Sequence, residues 1–303
     1  NLGLYTSVTG DVIVADAVNA ALGAPVVDIE TGATTFALYG DTSGDAWKVI
    51  QEISDGERAF FWTARDGTLT WWNRHHKIQN TTIKATLNGD TDKVYGLIGA
   101  DYKYGDDLAN VVRVTITPRQ TGTSQVLWSL DAPMTIRAGT TEAIEVRLRK
   151  DGGQYVAATS LSASPTWASG TASIVVDELG GKAIVTITNS GTASAILSAL
   201  TLTGTPTQAQ NSITVEESNA VSIAEIGRRE WTLSLAAGGG HDDAKQIALY
   251  ELGRRGELKE TLRAITMKEV PYDGQSLVFT WMAGERYHIT IDELFVDEDY
   301  WCV

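Results

Sequence analysis

The chain has 303 residues, of which 43% are hydrophobic, so it is long enough to bury a sizeable core. Asp and Glu number 38 against 24 Lys and Arg, which gives a net charge of −14. This acidic balance argues against a nucleic-acid-binding protein, which carries a basic stripe, and against a peripheral membrane protein. No apolar run approaches the roughly 20 residues that a membrane-spanning helix requires.

Cysteine usage and the N-terminus bear on the compartment. Cys302 is the only cysteine, so neither an internal disulfide nor a cysteine-based zinc site can form. Because it lies beside the last residue with no evident partner, a catalytic thiol is not expected. The chain is expected to fold in a reducing cytoplasm. The start shows no signal-peptide pattern, and the missing initial Met predicts a processed fragment.

Two helices are predicted near the N-terminus. The first is expected to run from Asp11, a favourable N-cap, to Leu22, after which a glycine stops it. The second is expected to follow Ser43 or Gly44 and to end at Asp55-Gly56. Its apolar residues recur at the spacing of one helical face, at Ala46, Val49, Ile50 and Ile53.

A hairpin and a pair of longer strands are predicted next. Asp66-Gly67 is a strong turn signal, and it is flanked by alternating runs that begin at Phe60 and Leu69. Alternation over 98–104 and over 112–116 predicts two further strands, joined by a Gly-Asp-Asp turn.

The composition changes between residue 122 and about residue 215, where Ser, Thr, Ala and Gly dominate. Short apolar alternations separated by turn signals predict a small antiparallel β-sandwich, inserted between two α/β parts. The alternating runs are Ile144-Val146-Leu148, Ile174-Val176, Ala183-Val185-Ile187 and Ile196 to Leu202. A third helix is then predicted from Asp242 to Arg255, followed by strands at 260–268, 276–282 and 286–293.

Several motifs follow one another in an informative order. The turn Asp66-Gly67 precedes Trp71-Trp72 and Arg74, and the strand motif Asn110-Val111-Val112-Arg113-Val114 comes later. The order continues with Ser222-Ile223-Ala224-Glu225-Ile226-Gly227-Arg228-Arg229-Glu230, an Ala-rich helix and Gly284-Glu285-Arg286-Tyr287-His288-Ile289. This order resembles the hub and tail-tip proteins of tailed bacteriophages, prophages and related injection machines. The matching parts are 1–118 and 221–303, about two thirds of the chain.

The resemblance implies an α+β, β-rich fold in which hub-type α/β and β-barrel domains are interrupted by the inserted β-sandwich. Residues 1–121 and 219–303 are then the two parts of one hub unit, and residues 122–218 are the insertion. The implied function is structural: a ring in the virion tail that joins the tail tube to baseplate or fibre proteins and lets DNA pass. Strands at 93–104, 111–117, 260–268 and 286–293 are expected to line the ring, with carboxylates turned to the lumen.

The implied partners follow from the same resemblance. They are further copies of the chain, in a threefold ring, and the tail tube, tape measure or baseplate proteins. No specific nucleic-acid or membrane binding is expected of the chain by itself, because an acidic surface repels phosphate. The implied location is the virion tail, after synthesis in the host cytoplasm.

No residue cluster is predicted to carry catalysis, a cofactor or a metal. His75-His76 are predicted to lie on a strand or at its exit, at the end of the hairpin, with one ring exposed; adjacent histidines on a strand point to opposite faces and do not easily bind one ion. After His241, Asp242 or Asp243 is expected to cap the third helix. Paired carboxylates are interpreted as solvated turns rather than as the facing carboxyls of a glycosidase, so the chain is predicted not to be an enzyme. The pairs are Glu52/Glu57, Asp106/Asp107, Glu216/Glu217 and Asp297 with Glu298-Asp299.

A second class of function stays open: a secreted or cell-surface carbohydrate-binding protein that uses the β-sandwich. Such proteins stack sugars on exposed aromatic rings. Trp62, Trp71 and Trp281 occupy alternating strand positions and are predicted to be core residues. Trp167, in the Ser-Pro-Thr-Trp-Ala-Ser segment, is predicted to lie in a loop and is the candidate exposed aromatic contact.

The change in composition leads to a test of the domain organisation. Residues 122–218, expressed alone, are expected to fold as an all-β unit, because their strands pair with one another. Circular dichroism and thermal melting check this, and a disordered spectrum with no cooperative transition contradicts it. Chains cut at about residue 122 are expected to leave an unstable N-terminal piece, because residues 1–118 need residues 221–303 to complete their core.

Overall fold

The fold is that of a computed structural model, which describes residues 2–23, 25–41, 44–64, 66–88, 96–104, 108–236, 238–256, 260–268, 285–291 and 296–301. Strands outnumber helices and lie in several separate sheets, so the predicted β-rich α+β class is confirmed in that broad form. Within the described ranges, no sheet closes into a barrel. None of the helices in these ranges has both the length and the apolar character needed to cross a bilayer.

The first part of the chain folds around one apolar core that is shared by two helices and two small sheets. Its elements are β1 Leu4–Thr9, α1 Gly10–Leu22, β2 Val27–Ile29, β3 Thr35–Gly40, α2 Ala46–Glu57, β4 Phe60–Thr63, β5 Leu69–Trp72 and the short α3 His76–Gln79. β1 pairs with β3 in antiparallel fashion, and β5 lies between β2 and β4.

The first predicted helix is confirmed, but its cap differs from the prediction. Thr9 is the N-cap residue, and Asp11 lies in the first turn, where its carboxylate complements the helix dipole. Asp11 Oδ1 accepts a hydrogen bond from Gly32 N at 2.9 Å, which ties α1 to the loop before β3. Gly23 ends the helix with a φ of 82°, a conformation that suits glycine.

The second predicted helix is also confirmed, with different ends. Its N-cap is Asp45, whose side chain accepts from Trp47 N at 3.0 Å. Its predicted apolar stripe faces the core, with Val49, Ile50 and Ile53 buried. The helix continues through Asp55-Gly56, because the left-handed Arg58 (φ 57°) supplies the cap beyond Glu57.

The predicted hairpin is confirmed, since β4 and β5 pair antiparallel across the Asp-Gly turn. Trp71 is fully buried in the core, as predicted. The prediction for Trp62 is wrong: the hairpin register places Phe61 opposite Trp71, and side chains alternate along a strand. Trp62 therefore lies on the opposite face of the sheet and is only half-buried.

Three strands connect this part to the sandwich: β6 Ile83–Asn88, β7 Gly96–Tyr104 and β8 Val111–Ile116. The sandwich strands are β9 Arg119–Thr121, β10 Gln125–Ser129, β11 Met134–Ile136, β12 Thr141–Arg147, β13 Ala158–Ser169, β14 Ser173–Leu179, β15 Lys182–Thr188 and β16 Ala195–Ala209. The last part contains β17 Ile213–Ser218, α4 Ala220–Ile226, β18 Glu230–Leu235, α5 His241–Arg255, β19 Glu260–Lys268, β20 Arg286–Ile291 and β21 Val296–Trp301.

Strands β9 to β16 form two facing sheets. The long β16 pairs with β9, β10, β11 and β13, and the second sheet has the order β12-β15-β14. Alternate residues of both sheets are buried between them, including Val146, Val185 and Leu200. The predicted alternating runs thus lie in antiparallel strands that face a common core.

The chain enters and leaves these sheets through two adjacent antiparallel segments. On one side, Ile116 of β8 is paired with Ile213 of β17; on the other, Arg119 of β9 is paired with Ala209 of β16. Between them, Gln210 N donates to Pro118 O at 2.8 Å. β17 falls inside the predicted insertion 122–218, but it pairs with β8 rather than with a sandwich strand.

β8 does not pair with β7, so the predicted strand pair is wrong. Val112, Val114 and Ile116 form one buried apolar face of β8, whereas Arg113 on the other face is exposed. Because the backbone at the buried positions needs hydrogen-bond partners on both edges, β8 is a central strand, and it lies between antiparallel β17 and parallel β18. β7 pairs instead with β19. The turn predicted at 105–107 lies outside the described residues.

The predictions for the last part are confirmed where the structure describes it. α5 begins one residue before Asp242 and ends at Arg255, with Ala244, Ile247 and Ala248 buried as expected. β19 matches the predicted 260–268 strand, and β20 lies within the predicted 286–293 strand. The strand predicted at 276–282, with Trp281, lies outside the described residues. Helix α4 was not predicted; Asn219 caps it by accepting from Val221 N and Ser222 N.

Gly40, the last residue of β3, is the point where the first part touches the sandwich most closely. A Cβ at this position would overlap the Cβ of Ala157 and lie 2.8 Å from Leu4 Cδ1. Arg119 Nη1 also reaches Gly40 O, at 3.4 Å. The absence of a side chain here lets β3 and the sandwich approach each other.

Gly40→Ala is therefore expected to lower the free energy of unfolding by about 1–3 kcal/mol, as overpacking does. Chemical denaturation measures the change. Gly253→Ala is the control, because its Cβ meets no atom within 4 Å and it lies inside α5; it is expected to stabilise by up to about 1 kcal/mol. Equal stability of Gly40→Ala and the parent chain contradicts the close approach.

Candidate interaction surfaces

Trp167, the predicted exposed contact, lies within strand β13 and not in a loop. Its backbone pairs with Leu197, and its side chain is half-buried against the sandwich core. Pro165 fits in this strand because β13 pairs only with β16 among the described strands, and an edge strand tolerates proline. A ligand-binding role of Trp167 stays a prediction, with less exposed ring than the sequence suggested.

His75 and His76 lie beyond the end of β5, at the start of the short helix α3, so of the two predicted positions the strand exit is the one found. The two rings have different partners. His76 stacks on Trp72 with ring centroids 3.4 Å apart and pairs with Glu30 through Nδ1. His75 lies 6.2 Å from the ring of Tyr250, and burial lowers its pKa. The structure therefore does not bring the two rings to one ligand.

The cluster at His241 is a helix cap, as predicted, with Asp243 as the capping residue. Asp243 Oδ2 accepts from Gly240 N at 2.9 Å. Burial raises the pKa of Asp243, whereas Asp242 and the ring of His241 are exposed. In the part of the chain that the structure describes, no group of three or more His, Cys, Asp or Glu is arranged to hold a metal ion.

Among the predicted carboxylate pairs, Glu52 and Glu57 have separate partners. Glu52 accepts from Tyr39 Oη at 3.2 Å and from Arg119 Nη2 at 3.4 Å. Glu57 is fully buried; it accepts from Ala33 N, and from Thr34 N at 2.7 Å. Burial raises the pKa of Glu57, against the opposing effect of its hydrogen bonds and of a nearby guanidinium.

That guanidinium belongs to Arg74, which is 2% exposed. Its Nη1 lies 3.8 Å from Glu57 and donates to Thr34 Oγ1 at 2.7 Å. Arg74 thus holds the end of the hairpin against α2 and β3. Of the other pairs, Glu216 binds Arg113 and Arg228, whereas Asp106, Asp107 and Cys302 lie outside the described residues.

His288 faces two aspartates on the neighbouring strand. Its Nδ1 lies 2.8 Å from Asp299 Oδ1, and its Nε2 lies 3.0 Å from Asp297 Oδ1. Arg286 also donates to Asp299, at 2.5 Å. The hydrogen bond with Asp299, followed by that with Asp297, raises the pKa of His288 despite some desolvation. A protonated ring therefore helps to hold β21 on β20.

One face of the β2-β5-β4 sheet is lined by aromatic side chains. Trp62 meets Trp72 edge-on with ring centroids 4.4 Å apart, and Lys77 Nζ lies 4.1 Å from the ring centroid of Phe60. Trp301, at the end of β21, reaches the same group through His76. This aromatic face was not predicted from the sequence. The hairpin register could have indicated it, because it places Trp62 on the face opposite to Trp71.

An apolar surface lies at the end of α1 and the start of α2. Its large side chains are unusually exposed: Leu22 at 64%, Val26 at 72%, Val27 at 42% and Trp47 at 61%. A cleft of about 460 Å³ separates the two helices there. The residues lining this cleft are Leu2, Ala20, Ala21, Asp41, Gly44, Asp45, Ala46 and Trp47.

An arginine surface lies at the ends of α2 and α5. Arg58, Arg254 and Arg255 converge on Glu251, with N–O distances of 2.8, 3.7 and 3.1 Å. Glu251 is fully buried, whereas the side chains of Arg58 and Arg254 are 24% and 44% exposed. The guanidinium carbon of Arg255 lies 4.4 Å from the ring centroid of Trp231, and that of Arg58 lies 5.8 Å from it.

Comparison with known proteins adds no assignment to these surfaces. No protein-family model matches the sequence, and a search of curated proteins finds no match.

The contacts of His288 predict a pH dependence. Because its pKa is raised in the folded chain, its contribution to stability is fully present below the unfolded value of about 6.5. That contribution is lost as the pH rises through the folded value. Between about pH 5.5 and about pH 9, the parent chain should therefore lose more stability than His288→Gln. Urea unfolding measures the difference, with His241→Gln as the exposed control. An unchanged pH dependence in His288→Gln contradicts the assignment.

Proposed function

We propose that the chain is a structural component of a phage tail tip or baseplate hub, where it forms a ring that joins the tail tube to baseplate or fibre proteins. The apolar surface carries this proposal. Large apolar side chains that are exposed in one region of a protein are typical of sites of protein association. The side chains of Leu22, Val26 and Trp47 are each more than half exposed, as is expected of a protein that assembles with others. The resemblance of the motif order to tail hubs points to the same class of protein.

Open strand edges support the same proposal. In the described residues, β2 and β21 each have a sheet neighbour on one side. An unpaired edge offers backbone N–H and C=O groups to another chain, and an assembly protein can use it for this purpose. The sandwich, mounted on two paired segments, suits an accessory module that extends from such a ring. The finer parts of the predicted fold, hub-type α/β domains with a β-barrel, belong to this proposal.

The lining of the ring needs a correction. The strands expected to line it lie in three different sheets: β7 with β19, β8 with β17 and β18, and β20 with β6 and β21. β8 contains no carboxylate, and the carboxylates on the exposed face of its sheet, Glu216 and Glu230, pair with Arg113 and Arg228. The net charge of −14 still suits a channel through which DNA slides, because carboxylates repel phosphates.

The proposed partners are further copies of the chain, together with the tail tube, tape measure or baseplate proteins, in the virion tail. Catalysis, cofactors and specific nucleic-acid or membrane binding are not part of the proposal. The alternative, a carbohydrate-binding protein that uses the sandwich, loses support because Trp167 packs against the sandwich core.

Assembly and location test the proposal. The isolated chain is expected to be a monomer or weak oligomer, because ring components often bury too little area to close when dilute. A trimer is expected at high concentration or with a tail partner. Native mass spectrometry over a concentration series measures the first point, and electron microscopy of whole particles locates the protein. A position at a fibre tip, or absence from the tail, contradicts the hub assignment.

A further inference from the structure

The apolar surface and the arginine surface lie at opposite ends of the same helix. Trp47 is the second residue of α2, and Arg58 directly follows its last residue. A helix of 12 residues is about 18 Å long, so the two surfaces are separated by about that distance. Two unlike surfaces at opposite ends of one rigid element can join copies of a chain in series.

The two surfaces are complementary in charge. The apolar surface is bordered by carboxylates, because Asp41 and Asp45 line the cleft together with Trp47. The arginine surface has three guanidiniums around one buried carboxylate, and the ring of Trp231 lies near the guanidiniums of Arg58 and Arg255. Each surface therefore combines an indole ring with a net charge, and the two net charges are opposite in sign.

The arginine surface holds more positive charge than Glu251 requires. Arg58 and Arg255 lie at 2.8 and 3.1 Å from this carboxylate, which suffices for a buried charge. Arg254 stands further away, at 3.7 Å, with 44% of its side chain exposed. At 3.7 Å this contact with Glu251 is too long for a hydrogen bond, so the guanidinium of Arg254 is well placed to meet an external carboxylate.

We propose that the apolar surface of one copy docks on the arginine surface of the next, with Trp47 packed at Trp231 and the acidic border facing Arg58 and Arg254. This inference rests on the proposed ring and names the surfaces that form its subunit contact. Pairing of like surfaces is disfavoured, because it would bring carboxylates against carboxylates or guanidiniums against guanidiniums. The contact is therefore head-to-tail, the type that closes into rings when the rotation permits.

Two variants disable one surface each. Trp47→Lys places a positive charge on the apolar surface, and Arg254→Glu reverses a charge on the arginine surface. Each variant alone is expected to self-associate at least about thirtyfold more weakly than the parent chain, as loss of an interface hot spot does. Sedimentation velocity over a concentration series measures the change. Added salt is expected to weaken the parent contact, because its charges lie near the surface.

The decisive measurement is an equimolar mixture of the two variants. Each variant keeps one working surface, so the mixture should form heterodimers that cannot grow further or close. The controls are Val175→Lys, at an exposed apolar position on the sandwich, and Arg137→Glu, at an exposed arginine there. Both are expected to assemble as the parent chain does. Thermal melts confirm folding, and Val26→Lys replaces Trp47→Lys if that variant is unfolded.

The outcomes separate this contact from the proposed function. The proposed contact is wrong if the variants assemble like the parent chain, or if the mixture stays monomeric. If the variants still form rings, the contact is wrong but the hub proposal is not contradicted. A parent chain that does not self-associate at any concentration overturns the contact as well, and the hub proposal is then decided by microscopy of whole particles. If the mixture forms heterodimers but microscopy finds the protein absent from tails, the contact is supported and the hub proposal is contradicted.

Discussion

One face of the strand Val111–Ile116 is apolar and buried against α5, and the arrangement of the chain depends on this strand. Its buried backbone needs hydrogen-bond partners on both edges, so it must lie inside a sheet, with neighbours on both sides. Both neighbours come from beyond the sandwich: β17 pairs antiparallel and β18 pairs parallel with it. The chain must therefore leave β8, form the sandwich and return to the same place. The paired segments between the sandwich and β8 are the consequence of this return.

Buried charged groups join the parts that this topology brings together. Arg58, at the end of α2, meets Glu251 of α5, although the two residues are 193 positions apart. Arg74 meets Glu57 and Thr34 in the first core. Removing one partner from such a pair leaves a buried charge alone, which costs about 3–5 kcal/mol. These contacts therefore specify which parts come together, even where their net contribution to stability is small.

The same helix that carries part of this network also separates the two most unusual surfaces. Val49, Ile50 and Ile53 anchor α2 in the core, so the positions of Trp47 and Arg58 relative to each other are fixed by a buried element. A rigid support of this kind favours specific docking, because little entropy is lost when the surfaces meet. The ring of Trp47 lies 5.6 Å from that of Phe61 but stays 61% exposed, and the proposed role of its exposed part is contact with another copy.

Local patterns in the sequence were sufficient for much of the secondary structure. The helical spacing at Ala46, Val49, Ile50 and Ile53, the Asp66-Gly67 hairpin and the sandwich alternations each depend on neighbours a few residues away. Such neighbours determine periodicity and turns. The sequence also indicated that Asp242 or Asp243 caps α5, because a cap is a local hydrogen bond.

The pairing of β8 and the two surfaces could not be obtained in this way. β8 has partners at 213–218 and 230–235, and no local signal distinguishes them from β7. The partners of His76 are Trp72 and Glu30, and Glu30 lies 46 positions away in the sequence. Burial of Glu251 and exposure of Trp47 are properties of the packed chain. Burial and exposure depend on how side chains distant in sequence pack together, and this packing is determined only when the whole chain is folded.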